Sequence, residues 1–357
     1  MRTALHGLAE RGQSPWMDQL SRELLRGGEL AGLVGSGVLG VTSNPTIFQD
    51  AMSSGDAYEA QRRELDLDDP KEIFLALAAQ DVRDACDLLA GKGTSPCDGW
   101  VSMEVDPRFA YDTEATIDEA RRLHEMISRP NLFVKIPGTR EGLPAIEDCV
   151  ARGIPVNVTL LFSLDRHREA AQAYLRGLHR LNARGGDLTE VASVASFFVS
   201  RVDTEADARL DARHGHEVLK GTLAIANAKL AYQQYLEIFS GPAWQELAQA
   251  GATPQWCLWA STSTKNPAYR DTRYVEELIG QETVTTMPRK TIEAFLDHGR
   301  IADTLTQGVA EARRVLERFA EIRLSYRDIT DTLERQGVRK FADSYQKLFD
   351  SLQPARR

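Results

Sequence analysis

Leu132-Phe-Val-Lys-Ile-Pro137 is a short, almost wholly apolar run with a single lysine inside it. Such a run suits a strand buried on both faces of a parallel sheet. Successive strand side chains point to opposite faces, so Lys135 shares a face with Phe133, and Val134 and Ile136 take the other. Similar runs stand on either side of it: Pro15-Trp-Met-Asp18, Val38-Leu-Gly-Val-Thr-Ser-Asn44 and Gly99-Trp-Val-Ser-Met-Glu-Val105 before it, then Pro155-Val-Asn-Val-Thr-Leu-Leu161, Val191-Ala-Ser-Val-Ala-Ser-Phe-Phe198, Gln255-Trp-Cys-Leu-Trp-Ala-Ser261 and Thr283-Val-Thr-Thr-Met-Pro288. About eight such runs, alternating with segments of helical period, predict a closed (β/α)8 barrel of the TIM type, an α/β fold, rather than an open doubly wound sheet.

Between the runs, residues 70–89, 113–127 and 217–239 have helical periodicity, and Pro70 suits a first helical turn. The acidic Glu64-Leu-Asp-Leu-Asp-Asp69 precedes the first of these helices, where carboxylates complement the positive end of the dipole. Residues 291–352 read as helical throughout. The expected organisation is one domain over residues 1–357, of which 291–357 form a helical C-terminal extension.

Composition narrows the function. The 357 residues are 42% hydrophobic and 27% charged, an ordinary globular balance. A formal net charge of -9 argues against a general nucleic-acid binder. Neither a signal peptide nor an apolar stretch of membrane-spanning length is apparent, which predicts a cytoplasmic protein with no membrane partner. Cys86, Cys97, Cys149 and Cys257 are scattered, so they read as reduced packing residues rather than as disulfides or metal ligands. His214 and His216 lie two apart, a spacing that does not put them on one helical face. No metal site is expected.

The polar residues inside the strands carry the chemistry. Asp18, Asn44, Glu104, Lys135, Asn157 and Thr159 fall on inward-facing positions toward the C-terminal ends of their runs, where barrels of this kind build active sites. Taken alone, Lys135 could be a strand-end residue snorkelling to water; as a set, these groups are hard to explain as core filling, because buried polar groups need partners. An enclosed lysine loses solvation, which favours the free amine and permits attack on a carbonyl. The iminium formed with a sugar ketone would draw electrons from the adjacent carbon–carbon bond, with Asp18 as the base at the C4 hydroxyl. Glu104 and Thr159 could hold a relay water beside the lysine, the plain alternative for Glu104 being an ion pair with Lys135. Arg201 and Lys265, just beyond the sixth and seventh runs, are placed to bind phosphate, with hydroxyl donors from Ser261, Thr262, Ser263 and Thr264. As bland alternatives, either cation could be a solvated loop charge.

These motifs resemble a known family. Gly40-Val-Thr-Ser-Asn-Pro-Thr-Ile-Phe48, Val101-Ser-Met-Glu-Val-Asp-Pro-Arg108, Phe133-Val-Lys-Ile-Pro137 with Glu141-Gly142, and Val156-Asn-Val-Thr-Leu-Leu-Phe-Ser163 are similar, in order, to the signatures of transaldolase. The resemblance runs from about Asp18 to Met287 and is specific. It implies cofactor-free transfer of a dihydroxyacetone unit between phosphorylated sugars, from sedoheptulose 7-phosphate to glyceraldehyde 3-phosphate, in the non-oxidative pentose phosphate pathway. It further implies that Lys135 is the Schiff-base lysine, Asp18 the acid/base, Glu104 and Thr159 the water-holding pair, Asn44, Asn157 and Ser196 the groups that bind dihydroxyacetone, and Arg201 a phosphate ligand. There are departures. Phe197 and Ser200 replace a Pro and a Gly of shorter members, and Lys265 stands where many have an arginine, whose bidentate fork an ammonium does not reproduce. The tail Val338-Arg-Lys-Phe-Ala-Asp-Ser-Tyr-Gln-Lys-Leu-Phe349 resembles a longer, bacterial branch, and either covers the barrel mouth or merely packs on the outside.

Other readings stay open on sequence. An aldolase acting on fructose 6-phosphate would form the same Schiff base but release dihydroxyacetone to water. A phosphosugar isomerase would use Glu104 to shuttle a proton and Lys135 to stabilise an enediolate. A catalytically silent sugar-phosphate-binding barrel is disfavoured by the full set of reactive groups. Monomer and homodimer are both compatible with the sequence.

Overall fold

A computed structural model describes residues 2–53, 55–213 and 215–353. Eight parallel strands close into a barrel in chain order: β1 Gln13–Met17, β2 Gly40–Thr42, β3 Trp100–Glu104, β4 Leu132–Pro137, β5 Val156–Leu161, β6 Ser193–Phe198, β7 Trp256–Ala260 and β8 Thr283–Met287. Seven of the predicted runs contain their strand, the first overlaps β1, which begins two residues earlier at Gln13, and β8 pairs with β1 to complete the ring.

The two faces of each strand do different work. Outward, Val101, Met103, Val134, Ile136, Val156 and Val158 are sealed beneath the surrounding helices, each contributing about 1.5–3 kcal/mol through burial. Inward, the lower barrel is filled with aromatic rings: Trp100 stacks on Phe133 at 4.1 Å between centroids, and Trp16 stacks on the same ring at 6.1 Å. Higher on these strands, the inward side chains are Lys135 one step above Phe133, Glu104 two steps above Trp100 and, just past β1, Asp18 one step above Trp16. The change from ring to polar group along one face makes the bottom a plug and the top a site.

The predicted helices form with local caps. Asp69 accepts a hydrogen bond from Lys71 N at the start of helix Pro70–Leu89, and Asp112 caps helix Thr113–Ile127 in the same way. The stretch 217–239 is divided into a 3-10 turn, Glu217–Leu219, and helix Leu223–Ile238. The C-terminal stretch is not helical throughout either. Helix Arg289–His298 follows β8, residues 299–308 are irregular, and helices Val309–Glu321 and Tyr326–Leu352 follow. Gly308 and Arg323, both with positive φ, mark the two interruptions.

The last helix crosses the barrel mouth rather than packing on the outside. Gly337 lies against Leu160 and Phe162, where an added Cβ would approach Leu160 Cδ2 to 2.9 Å. Ser344 Oγ bonds Thr46 Oγ1 at 2.9 Å, and Tyr345 and Phe349 cluster with Phe74. The four cysteines are free and buried. No helix among the described residues is long and apolar enough to cross a membrane. His214 lies outside the described residues.

Candidate active site

A cavity of about 390 Å³ opens between the C-terminal ends of the strands and the last helix. Asp18, Asn44, Lys135, Ser196, Arg201 and Lys265, drawn from six different segments, all line it. Strand register assembles the layer at its floor: Glu104 is the neighbour of Lys135 across β3–β4, and Lys135 the neighbour of Asn157 across β4–β5. Within that layer Lys135 lines the cavity, whereas Glu104, Asn157 and Thr159 are buried and do not line it.

Lys135 is 4% exposed, so its ammonium or amine is fixed by protein groups rather than by bulk water. Nζ donates to the Ser43 carbonyl at 3.1 Å and lies 3.3 Å from Glu104 Oε2. The ion pair entertained from sequence is therefore present. It does not use up the carboxylate, because neither Glu104 oxygen meets hydrogen-bond geometry with a protein donor. Burial pushes the Glu104 carboxyl up to about 7, against the opposing pull of Lys135 and with a smaller upward push from Asp18. A carboxyl so placed exchanges a proton readily at neutral pH. Thr159 Oγ1, fully buried, likewise has no protein partner, so the predicted pair presents unsatisfied polar atoms.

Thr159 is held by an unusual backbone. The β5–β6 register shifts between Val158 and Leu161, and Leu160 takes a left-handed φ of 59°. For a leucine this conformation costs about 1–3 kcal/mol, and it re-aims the strand end beside the reactive groups. On the neighbouring strand, the Glu141-Gly142 motif has a steric reason: a Cβ on Gly142 would lie 2.0 Å from the Pro137 carbonyl oxygen. Only glycine lets the following helix start this close to the end of β4.

Asp18 lies one residue past β1, anchored by its N–H to the Met287 carbonyl at 2.9 Å. Burial raises its pKa, and the nearby charges of Lys135, Arg201 and Lys265 pull it back down. Asn157 is held at both ends, donating to Ser102 Oγ at 3.0 Å and accepting from Ser196 Oγ at 2.7 Å. Asn44 Oδ1 accepts from Ile47 N at 3.1 Å, capping helix Pro45–Ser53, so its amide nitrogen is the end left for a ligand.

The cations form a rim above this floor. Arg201, in the first turn of helix Ser200–Asp211, lies 5.3 Å from the Phe198 ring and 5.9 Å from Phe341 of the last helix. Burial lowers its pKa from the ordinary arginine value, with Asp18 and Glu104 acting in the opposite sense. Lys265 donates to Ser263 Oγ at 2.7 Å. Of the hydroxyls predicted around it, Ser261 and Ser263 line the cavity, whereas Thr262 is buried and bonded to the Thr286 carbonyl at 2.6 Å. Thr262 is therefore a structural tie and not a phosphate donor.

A sequence model described as Transaldolase/Fructose-6-phosphate aldolase matches residues 15–352, nearly the whole chain and every strand that carries a site residue except the first two positions of β1. This chain belongs to the transaldolase/fructose-6-phosphate aldolase family. Among its relatives, a transaldolase of Parafrankia sp. (strain EAN1pec) is 50% identical, with 99% of this chain and 98% of that protein covered. A transaldolase of Acidothermus cellulolyticus is 50% identical over 98% of this chain and 95% of its own length. One from Frankia alni is 48% identical over 99% and 97%. Family membership thus agrees with the resemblance read from the motifs, and the full-length coverage includes the C-terminal helix.

Several contributors to this family site escaped the sequence reading. The Ser43 carbonyl that holds Lys135 is a backbone group and has no sequence signature. Thr46, Asp50 and Phe341 line the cavity from helices, outside the strand alternation that located the rest. For Thr46 a signal existed, since Asn44-Pro45 announces a helix start at the mouth. Among the described residues, no group of three or more His, Cys, Asp or Glu side chains is arranged as a metal site.

Proposed function

We propose that this chain is a transaldolase that moves a dihydroxyacetone unit from a phosphorylated ketose to a phosphorylated aldose through a Schiff base on Lys135. The observation that carries the reading is the enclosed Lys135 Nζ, 3.3 Å from a carboxyl poised near neutrality, with Asp18 lining the same cavity.

In this reading, Glu104 takes a proton as the Lys135 amine attacks the ketone. It then assists loss of the carbinolamine hydroxyl as water, with Thr159 Oγ1 positioning the water. Asp18, kept basic and partly desolvated, removes the proton of the C4 hydroxyl. The C3–C4 bond breaks, its electron pair moves toward the iminium nitrogen, and the aldehyde leaves. An acceptor aldehyde then receives the C3 carbon of the enamine and regains a proton from Asp18, and hydrolysis frees Lys135. Asn44, Asn157 and Ser196 orient the three-carbon unit. Arg201 and Lys265 take the phosphate at the rim, aided by the positive end of the helix that starts at Ser200. The natural pair is sedoheptulose 7-phosphate and glyceraldehyde 3-phosphate, with erythrose 4-phosphate and fructose 6-phosphate as products.

The same reading takes residues 1–357 as one barrel domain with its helical extension, because a continuous apolar core runs from Leu5 to Leu352. A cytoplasmic location fits substrates of this kind.

The test is to supply fructose 6-phosphate with and without erythrose 4-phosphate. Transfer predicts fast formation of sedoheptulose 7-phosphate with acceptor and little free dihydroxyacetone without it. Equal rates of dihydroxyacetone release in both would make the protein an aldolase, and ketose–aldose interconversion without carbon–carbon cleavage would make it an isomerase.

A further inference from the structure

The last helix carries a further cation close enough to the rim to feel Arg201 and Lys265, though it does not itself line the cavity. Helix Tyr326–Leu352 presents Gly337, Lys340, Phe341 and Ser344 along one face by their i, i+3, i+4 and i+7 spacing. Three of these are fixed over the mouth: Gly337 against Leu160 and Phe162, Phe341 as part of the cavity wall and 5.9 Å from the Arg201 guanidinium, and Ser344 on Thr46. Lys340 lies between them and is exposed, so its long side chain starts at the cavity's edge.

We propose that Lys340, carried over the barrel mouth by the C-terminal helix, is a third cation for the phosphate of the sugar substrates and sharpens the preference for phosphorylated over unphosphorylated acceptors. The inference rests on the transaldolase reading of this cavity and adds a specificity-determining residue to it. The electrostatics agree. Partial desolvation of its inner end, followed by the like charges of Arg201 and Lys265, holds the ammonium of the otherwise exposed Lys340 below the ordinary lysine range, while Asp50 favours its charge. Lys265 feels Arg201 in the same way. Three mutually repelling cations at one rim, answered nearby by the carboxylate of Asp50, favour a dianion that relieves the repulsion. A third ammonium also supplies what is lost when a lysine stands at position 265, because two point charges from different directions replace part of a planar guanidinium fork.

The experiment uses fructose 6-phosphate as donor and compares erythrose 4-phosphate with unphosphorylated erythrose as acceptor, following release of glyceraldehyde 3-phosphate. The ratio of the two kcat/KM values cancels the donor half-reaction. For Lys340→Gln that ratio should fall roughly five- to tenfold, an exposed charge-assisted contact being worth on the order of a factor of ten. Lys340→Arg should restore it to within about twofold of wild type, since the charge is kept. A ratio equal to wild type in Lys340→Gln overturns the proposal, including the case in which both acceptors lose rate together, which would mark Lys340 as structural. Failure of the wild type to transfer to either acceptor would instead remove the transaldolase reading itself.

Discussion

The floor of the cavity and its rim are built by opposite means. On the floor, Lys135, Glu104, Asn157 and Thr159 project from adjacent barrel strands, are almost wholly buried, and are set by strand register. At the rim, Arg201, Lys265 and Lys340 come from a helix start, a loop and the C-terminal helix, and Lys265 and Lys340 are exposed. Strands give a reacting amine and its proton partner a fixed separation, which bond-making chemistry requires. A phosphate tolerates softer recognition by charge, so it can be held by longer side chains on elements that vary. Floor variants should therefore change the chemistry, and rim variants the preference for phosphorylated sugars.

The largest effect is expected for Lys135→Ala. Turnover should fall by at least about ten-thousand-fold with far-UV circular dichroism unchanged. Substantial activity in a folded variant would dissolve the division between floor and rim. Asp18→Asn should be next: the Schiff base still forms, but cleavage slows by roughly a hundred- to a thousandfold. Borohydride should then trap the intact sugar on the lysine, and a wild-type cleavage rate would take Asp18 out of the mechanism.

Arg201→Ala belongs to the rim. Its kcat/KM should drop about ten- to a hundredfold with erythrose 4-phosphate but much less with erythrose, reflecting a lost contact to a charged group. Equal losses on both acceptors would show that Arg201 matters as the packing partner of Phe198 and Phe341 instead.

The smallest effect concerns stability. Glu104 has a folded pKa of about 7 against an ordinary value of 4.5. Between those values the folded protein binds more protons than the unfolded chain, so this group's contribution to stability declines as pH rises through that window. Glu104→Gln should flatten that segment of the Tm profile, a change on the order of 3 kcal/mol across it. An unchanged slope would mean that Glu104 stays ionised throughout and acts only as the counter-ion of Lys135.

The floor was legible in the sequence because alternation along a strand is a local rule. Once Lys135 and Phe133 share a face, the inward set Asp18, Glu104, Asn157 and Thr159 follows, and the structure brings these side chains to one end of the barrel. The rim was only partly legible. Arg201 and Lys265 could be found from their distance past a strand end, yet the hydroxyls beside Lys265 could not be sorted, since backbone turning alone decides that Thr262 faces inward to Thr286 while Ser263 faces the cavity. The left-handed Leu160 has no sequence signal, because leucine is an unfavourable choice there and only the surrounding structure enforces it. Lys340 and Phe341 were out of reach for a different reason: which face of the last helix meets the mouth depends on tertiary contacts such as Gly337 on Leu160.

The most direct test of the central claim is borohydride reduction in the presence of fructose 6-phosphate, followed by mass spectrometry of the peptide that contains Lys135. The account predicts a reduced three-carbon adduct on Lys135 and on no other lysine. Conversion of the sugar with no adduct on Lys135 would contradict it.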